Sequence, residues 1–326
     1  MAVARLNKRY RIKYNIMHHH ALAIDLGATN VRVALVSRSG KVIAKIKDKT
    51  PKHGKNGAVI SQRIIEMIGL VMAKHPDARP AGIGISSMGP LDYQRGGPLH
   101  SPNIPFTFVP LVEPLRRKFS LPVFLLNDAN AAVLGEQRFG AGKKKKNLVY
   151  ITISTGIGGG AIVDGNLLLG GSGNAAEVGH MIVDTTHNIR CSCKKGIGHW
   201  EGCASGRNIP KFFKTWAKAH GKKIAVMPAT AKDVFDHARS GNAAARGFLD
   251  ALHRVNARAI SNVIVAYDPE LITIGGSVVF MNAPVLLSGI KKYVDRHLKT
   301  PEIRVSRLGD DIALLGAAAA AFAQNK

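Results

Sequence analysis

Two stretches of this 326-residue chain decide how it folds. The first runs Leu22-Ala23-Ile24-Asp25-Leu26-Gly27-Ala28-Thr29-Asn30-Val31-Arg32-Val33-Ala34-Leu35-Val36. It reads as a strand (Leu22–Asp25), a Gly-containing loop (Gly27–Thr29) and a second strand (Val31–Val36). After a Ser39-Gly40 turn, Val42–Ile46 supplies a third, because β-branched runs broken by Gly turns are strand and hairpin signals. About 130 residues later the pattern returns. Leu148–Ile153 is a strand, Thr155–Gly160 a Gly-rich loop, Ala161–Val163 a strand, Asp164-Gly165 a turn and Asn166–Leu169 a strand. One supersecondary unit used twice predicts two similar α/β lobes, each opening with a β-meander.

Working outward from the first meander, Ile64, Ile65, Ile68 and Val71 fall at helical spacing within an amphipathic helix over Ile60–Lys74. A buried strand (Gly82–Ser86), a Pro-rich loop (Pro98–Pro110), a second buried strand (Pro122–Leu126) and a helix from Asp128 through Gly135 follow. In the second half, Asn208–Ala219 and Ala243–Val265 read as helices. Leu271–Ile274 reads as a strand ending in Gly275-Gly276, and Ala313–Gln324 as a closing helix. Strands alternating with helices predict a mixed or parallel sheet with helical faces.

Composition sets the class. Hydrophobic residues make up 46% of the chain and charged residues 21%, which excludes disordered and collagenous proteins, and three Cys exclude a disulfide scaffold. No stretch of about 18 apolar residues appears, since Ala317–Ala323 is too short, and residues 1–20 lack the apolar core of a secretory signal. The expectation is a soluble protein of the reducing cytoplasm. The net charge of +25 concentrates anions such as nucleotides and sugar phosphates. Lys143–Lys146 and Arg5–Lys13 form basic blocks, but no nucleic-acid-binding motif accompanies them, so the charge is read as a property of the whole surface. Residues 1–21 are expected to be a disordered basic arm, with Met17 an alternative start to Met1. The short run His18–His20 reads as a local accident or a weak metal binder.

Three clusters carry chemistry. Asp25, Gly27, Thr29 and Asn30 in one loop, and Thr155, Gly156 and Gly158 in the other, offer unhindered amides and hydroxyls suited to phosphate oxygens; read blandly, both are hairpin turns. Neither is a Walker loop, because no Gly-Lys-Ser/Thr follows, and neither fits the dinucleotide fingerprint. Asn127-Asp128 stands at the carboxyl end of a buried strand, where ligands of α/β sheets collect. Asp128 is there either a general base or part of a helix N-cap. Finally, Cys191-x-Cys193 with His199 and the upstream His180 gives four ligands for a closed zinc site, with Cys203 an alternative to His199 and unrelated surface thiols the plain reading. Glu177 and Glu201 flank that cluster.

Taken together these residues resemble the ROK family of sugar kinases and related repressors, within the actin-like ATPase superfamily. The motifs are Asp25–Thr29, Gly84–Pro90 with Asn103, Asn127–Ala131, Thr155–Gly160, Glu177–His180, Cys191-x-Cys193, Glu201, Ser205-Gly206 and Gly275-Gly276-Ser277, and the likeness runs from about Leu22 to Ala320. It implies two actin-like (ribonuclease H-like) α/β lobes around a central cleft. The first would span residues 22–126 and be completed by a C-terminal helix over 312–326; the second would span 127–311 and carry a zinc loop over 180–203.

By the same resemblance the chain is an ATP- and Mg²⁺-dependent hexokinase of the glucokinase type, acting on the 6-hydroxyl of glucose or a close hexose. Asp128 would be the base, and Asn103, Asn127, Glu177, His180 and Glu201 would hold the sugar. Asp25 would position Mg²⁺. Gly27, Thr29, Asn30, Thr155, Gly156 and Gly158 would cradle phosphates, with Gly275 and Gly276 against the adenosine. A homodimer, a structural zinc on His180, Cys191, Cys193 and His199, and no membrane or nucleic-acid partner complete the expectation.

The alternatives are an N-acetylmannosamine or N-acetylglucosamine kinase and a non-catalytic sugar-sensing regulator. Two departures stand out. The family loop Cys-x-Cys-Gly-x-x-Gly-Cys-x-Glu is one residue longer here and carries His199 for its third Cys. No helix-turn-helix pattern, the mark of the family's repressors, precedes Asp25.

Overall fold

The computed structural model describes residues 19–323. The basic block Arg5–Lys13, Met17, His18 and Gln324 lie outside the described residues. His20 and Ala21, expected in the arm, instead open the first strand, because their backbone pairs with Val36 and Ser37.

In chain order, β1 (His20–Leu26), β2 (Asn30–Ser37) and β3 (Val42–Lys49) form the first meander. They are followed by α1 (Ala58–Ala73), β4 (Pro80–Ser87), the two-residue strands β5 (Leu91–Asp92) and β6 (Gly97–Pro98), α2 (Val112–Phe119), β7 (Val123–Asn127) and α3 (Asp128–Phe139). Next come β8 (Leu148–Ile153), β9 (Ile157–Val163), β10 (Asn166–Leu167), the short α4 (Trp200–Ala204), α5 (Ile209–Ala219), α6 (Ala231–Arg239) and α7 (Ala243–Tyr267). The chain ends with β11 (Leu271–Gly275), α8 (Ser277–Tyr293), β12 (Glu302–Val305) and α9 (Ile312–Phe322). Among the described residues no helix is long and apolar enough to cross a membrane.

The repeated meander is the organising feature. One sheet has the order β3-β2-β1-β4-β7 and the other β10-β9-β8-β11-β12, so the same five-strand plan occurs twice. In each, the meander pairs antiparallel, and its first strand runs parallel to a later one that carries a further parallel neighbour. The parallel strands β4, β7 and β11 are almost wholly buried, as strands covered on both faces must be.

The chain divides into two compact units. The first takes residues 19–146, Gly160–Ala175 and 307–323; the second takes Asn147–Gly159 and Ala176–Ser306. A boundary after residue 126 therefore falls inside the first unit. Helix α3 belongs there because it packs along α9, which in turn lies on β1, β4 and β7. Small residues let these backbones touch. A Cβ on Gly84 would sit 1.7 Å from the carbonyl oxygen of Ala317, and one on Gly316 would sit 1.6 Å from that of Ala131. On the other side of the same sheet, α1 turns Ile60, Ile64, Met67, Ile68 and Val71 inward, against Leu22, Ile24, Val33 and Ile83.

The core of the second unit is aromatic. Phe212, Phe213 and Trp216 of α5 meet Phe248 of α7, with ring centroids 5.0 to 5.9 Å apart. Trp200 of α4 is fully buried and donates its indole N–H to Asn256 Oδ1 (2.7 Å), which satisfies that group inside the core.

Four helices go unread in the sequence, among them the five-residue α4. Helix α2 is short, with eight residues and Pro114 in its first turn, where the missing N–H costs no helical bond. Helix α6 has only nine residues, although Thr230 and Asp233 form a reciprocal capping box at its start. Helix α8 contains Pro284 and bends at Asn282, whose backbone leaves the helical region.

Candidate functional site

The first unit carries one set of candidate residues. Asp25 lies near the carboxyl end of β1, and the register places Arg32 of β2 directly opposite it. Arg32 grips Asp25 Oδ2 through Nε (3.0 Å) and Nη2 (2.7 Å), while Ser86 donates to Oδ1 (3.2 Å). Arg32 is itself anchored, since its Nη1 reaches Asp311 Oδ1 at 2.9 Å, and Lys45 binds the same carboxylate. Asp25 is thus a fixed, charge-balanced carboxylate. The loop after it is tight, with Gly27 N–H donating to Asn30 O (2.9 Å) and Thr29 exposed at the tip.

At the end of β7, Asn127 is the N-cap of α3, its side chain accepting from Ala129 N–H at 2.9 Å. Asp128 is the first helical residue, exposed at the strand's carboxyl edge, and its Oδ1 accepts from the same Ala129 N–H at 2.8 Å. Asn103 is exposed in the loop between β6 and α2.

The second unit brings together more than the sequence suggests. The Gly-rich loop is shorter than expected. Only Ser154–Gly156 are loop, whereas Gly158, Gly159 and Gly160 lie within β9. Two of these glycines serve close packing: a Cβ on Gly160 would meet the Ala129 carbonyl at 2.4 Å, and one on Gly159 would meet Val178 at 2.7 Å. The loop proper is held from several sides. Gly206 N–H donates to Ser154 O (2.7 Å), and Ser154 Oγ lies 3.1 Å from Ser277 Oγ at the start of α8. Gly276, the N-cap of α8 at φ 95°, approaches so closely that a Cβ would meet Ile153 O at 2.4 Å. The amide end of α8 therefore stands beside the loop, an arrangement that favours anions.

Glu201 of α4 completes that loop. Its Oε2 accepts from Ile157 N–H at 3.1 Å, and its Oε1 accepts from Ser192 Oγ at 2.6 Å. Glu177 precedes the single 3₁₀ turn Val178–His180. Loss of solvation holds its carboxyl above the usual range, with the charge of Glu201 adding to the effect and His180 opposing it.

The sulfur and imidazole groups converge as the spacing predicts. One ligand atom from each of His180, Cys191, Cys193 and His199 lies within 4.8 Å of all the others. His180 Nδ1 is 3.2 Å from His199 Nδ1, while Cys193 Sγ is 3.7 Å from His199 Nδ1 and Cys191 Sγ is 4.0 Å from His180 Nδ1. A tetrahedral zinc with ordinary bond lengths sets N and N about 3.3 Å apart and N and S about 3.6 Å apart, so this donor set fits the ion with little adjustment. Burial pushes the Cys191 thiol up to about 11. Cys193 is also partly desolvated, but the amides of Lys195 and Gly196 outweigh this and draw it below its ordinary value. Cys203 is not in the group. It is fully buried in α4, with its thiol pushed up to about 12 by that burial.

The profile of the ROK family matches residues 21–324. The chain belongs to the ROK family. It is 38% identical to a glucokinase of Pyrobaculum calidifontis over 303 residues, which cover 92% of this chain and 94% of that protein. Among solved structures, the ROK hexokinase of Thermus thermophilus superposes with a TM-score of 0.79 at 29% identity, covering 93% of this chain and 98% of that one. A ROK family glucokinase from Streptomyces griseus, solved with glucose and AMPPNP, gives 0.70 at 26% identity, covering 92% and 98%. The fold is the actin-like α/β fold of the ROK sugar kinases. Within this ROK protein, sequence reasoning missed Arg32, Ser192 and Asn208. Arg32 was legible, because a tight hairpin after Asp25 makes it the cross-strand partner. Ser192 and Asn208 gave no signal, since their partners come together only through the folding of α4 and its flanking loops.

Proposed function

We propose that this protein is an ATP-dependent glucokinase, transferring the γ-phosphoryl group of ATP to the 6-hydroxyl of glucose or a close hexose. The observation that carries the reading is the exposed Asp128 carboxylate, set at the carboxyl end of β7 by the Asn127 cap in a chain of this family. Asp128 takes the proton of the attacking hydroxyl. Asn103, Asn127, Glu177, His180 and Glu201 orient the sugar. Gly27, Thr29 and Asn30, together with Thr155, Gly156 and Gly158, cradle phosphates, with Gly275 and Gly276 against the adenosine.

When bound, Mg²⁺ supplies charge neutralisation on the phosphates. Asp25 would help position the ion and its waters, a role suited to a carboxylate already engaged by Arg32. Zinc, held by His180, Cys191, Cys193 and His199, supplies structural cross-linking of the loop. His180 uses Nδ1 in that group, which leaves Nε2 for a sugar hydroxyl. The enzyme acts in the cytoplasm, where the thiols remain reduced, as a homodimer that light scattering would detect.

An ADP-release assay with Mg-ATP and glucose, mannose, fructose, glucosamine, N-acetylglucosamine and N-acetylmannosamine tests the reading. Glucose turnover is expected. Turnover on an acetylated amine alone would reassign the substrate, and silence on all six would leave a sugar-binding regulator.

A further inference from the structure

The Cys-x-Cys loop and the Gly loop of the second unit are joined through one carboxylate, and the residue that holds it lies between the two cysteines. Ser192 Oγ donates to Glu201 Oε1 at 2.6 Å, while the other oxygen of Glu201 accepts from Ile157 N–H at 3.1 Å. Gly156 is kept bare on that side, since a Cβ there would meet Glu201 Oε2 at 2.6 Å. Behind the pair, Asn208 is buried and its amide nitrogen faces three acceptors that share its two hydrogens: Ser192 Oγ (3.2 Å), Glu201 O (3.0 Å) and Ser205 Oγ (2.9 Å). The backbone just beyond, at Gly206, donates to Ser154 O. Cys191 Sγ also lies 3.7 Å from Glu201 Oε1, but Ser192 makes the shorter bond. A hydroxyl with one donated and one accepted bond has a single orientation, which sets where the Glu201 carboxylate points.

We propose that Ser192 is a positioning residue for nucleotide binding, which it supports by holding Glu201 against the amide of Ile157 and so setting the conformation of the Ser154–Ile157 loop. Ser192 supplies no zinc-ligating atom, so its effect is separable from the metal itself. The inference deepens the kinase reading and rests on it, because it takes the Gly loop as the phosphate cradle.

Three proteins test it: wild type, Ser192→Ala, and Ser192→Thr, which keeps the hydroxyl. Mg-ADP affinity is measured by titration calorimetry and zinc stoichiometry by mass spectrometry, with KM and kcat taken for Mg-ATP. Loss of one hydrogen bond to a charged group predicts Mg-ADP binding about tenfold weaker in Ser192→Ala. A matching rise in the KM for Mg-ATP, smaller change in kcat and unchanged zinc content are expected, with affinity restored in Ser192→Thr. Affinity within twofold of wild type in Ser192→Ala, or zinc lost in step with affinity, would overturn the proposal. The two readings fail separately. Wild type that phosphorylates sugar alongside an unperturbed Ser192→Ala removes only the positioning role; wild type inactive on every sugar, with Mg-ADP binding still dependent on Ser192, removes only the kinase.

Discussion

In the first unit the carboxylate beside the Gly loop comes from the loop's own strand: Asp25 stands two residues before Gly27, and Arg32 clasps it across the hairpin. In the second unit β8 ends in Thr152-Ile153, with no acid, and the carboxylate arrives from α4. There Glu201, 44 residues from Ile157, is held by Ser192. The two sheets share a strand order, and their loops leave equivalent strands. Yet one loop's carboxylate and its clasp come from a single hairpin, later buttressed by Ser86 and Asp311, and the other's carboxylate comes from a distant helix. A local site inherits its geometry from strand register, which a hairpin fixes early and strongly. The long-range site depends on the segment over 180–203, where a Cys/His cluster suited to zinc stands beside buried Val183, Ile189 and Trp200.

The largest effect is expected where neither loop is touched. Asp128→Asn should lower kcat by about 10³-fold, while calorimetry still finds Mg-ADP and glucose bound; near-normal turnover would mean that the loops, not Asp128, carry the chemistry. Next comes the packing that distinguishes the first unit. Gly84→Val would push side-chain atoms into the Ala317 carbonyl of α9 and should destabilise by about 3 kcal/mol, read by thermal unfolding. An unchanged midpoint would show that α9 is not a rigid wall.

Cys193→Ser tests the long-range loop. Zinc should be lost and the melting midpoint should fall by about 5 °C, for about 2 kcal/mol, with Mg-ADP binding weakened in parallel. A metal-free protein of equal stability would dismiss the zinc assignment. The local loop should answer most mildly: Arg32→Gln is expected to raise the KM for Mg-ATP about tenfold, about 1.4 kcal/mol, with zinc content unchanged. An effect on zinc here would break the distinction between the loops.

The features legible from residue order alone follow from local physics. The repeated meanders, the buried parallel strands and the amphipathic α1 are legible because hydrophobic period and Gly turns encode them directly. The His180, Cys191, Cys193 and His199 set was legible because zinc demands few donors at short spacing. Other features were decided by tertiary structure. Gly158, Gly159 and Gly160 read as loop, yet they form strand, and Gly159 and Gly160 there admit the close approach of Val178 and Ala129. Asn127 and Asp128 are both good caps in sequence, and only the end of β7 settles that Asn127 takes the N-cap position while Asp128 is the exposed first helical residue. Residues 127–146 pack with the first unit because α9, nearly 200 residues later in the chain, offers Gly316 and Ala317 as a surface for α3 and β4. The bond from Ser192 to Glu201 belongs to the same class: no periodicity records it, since it exists only once α4 has docked on its core through Trp200.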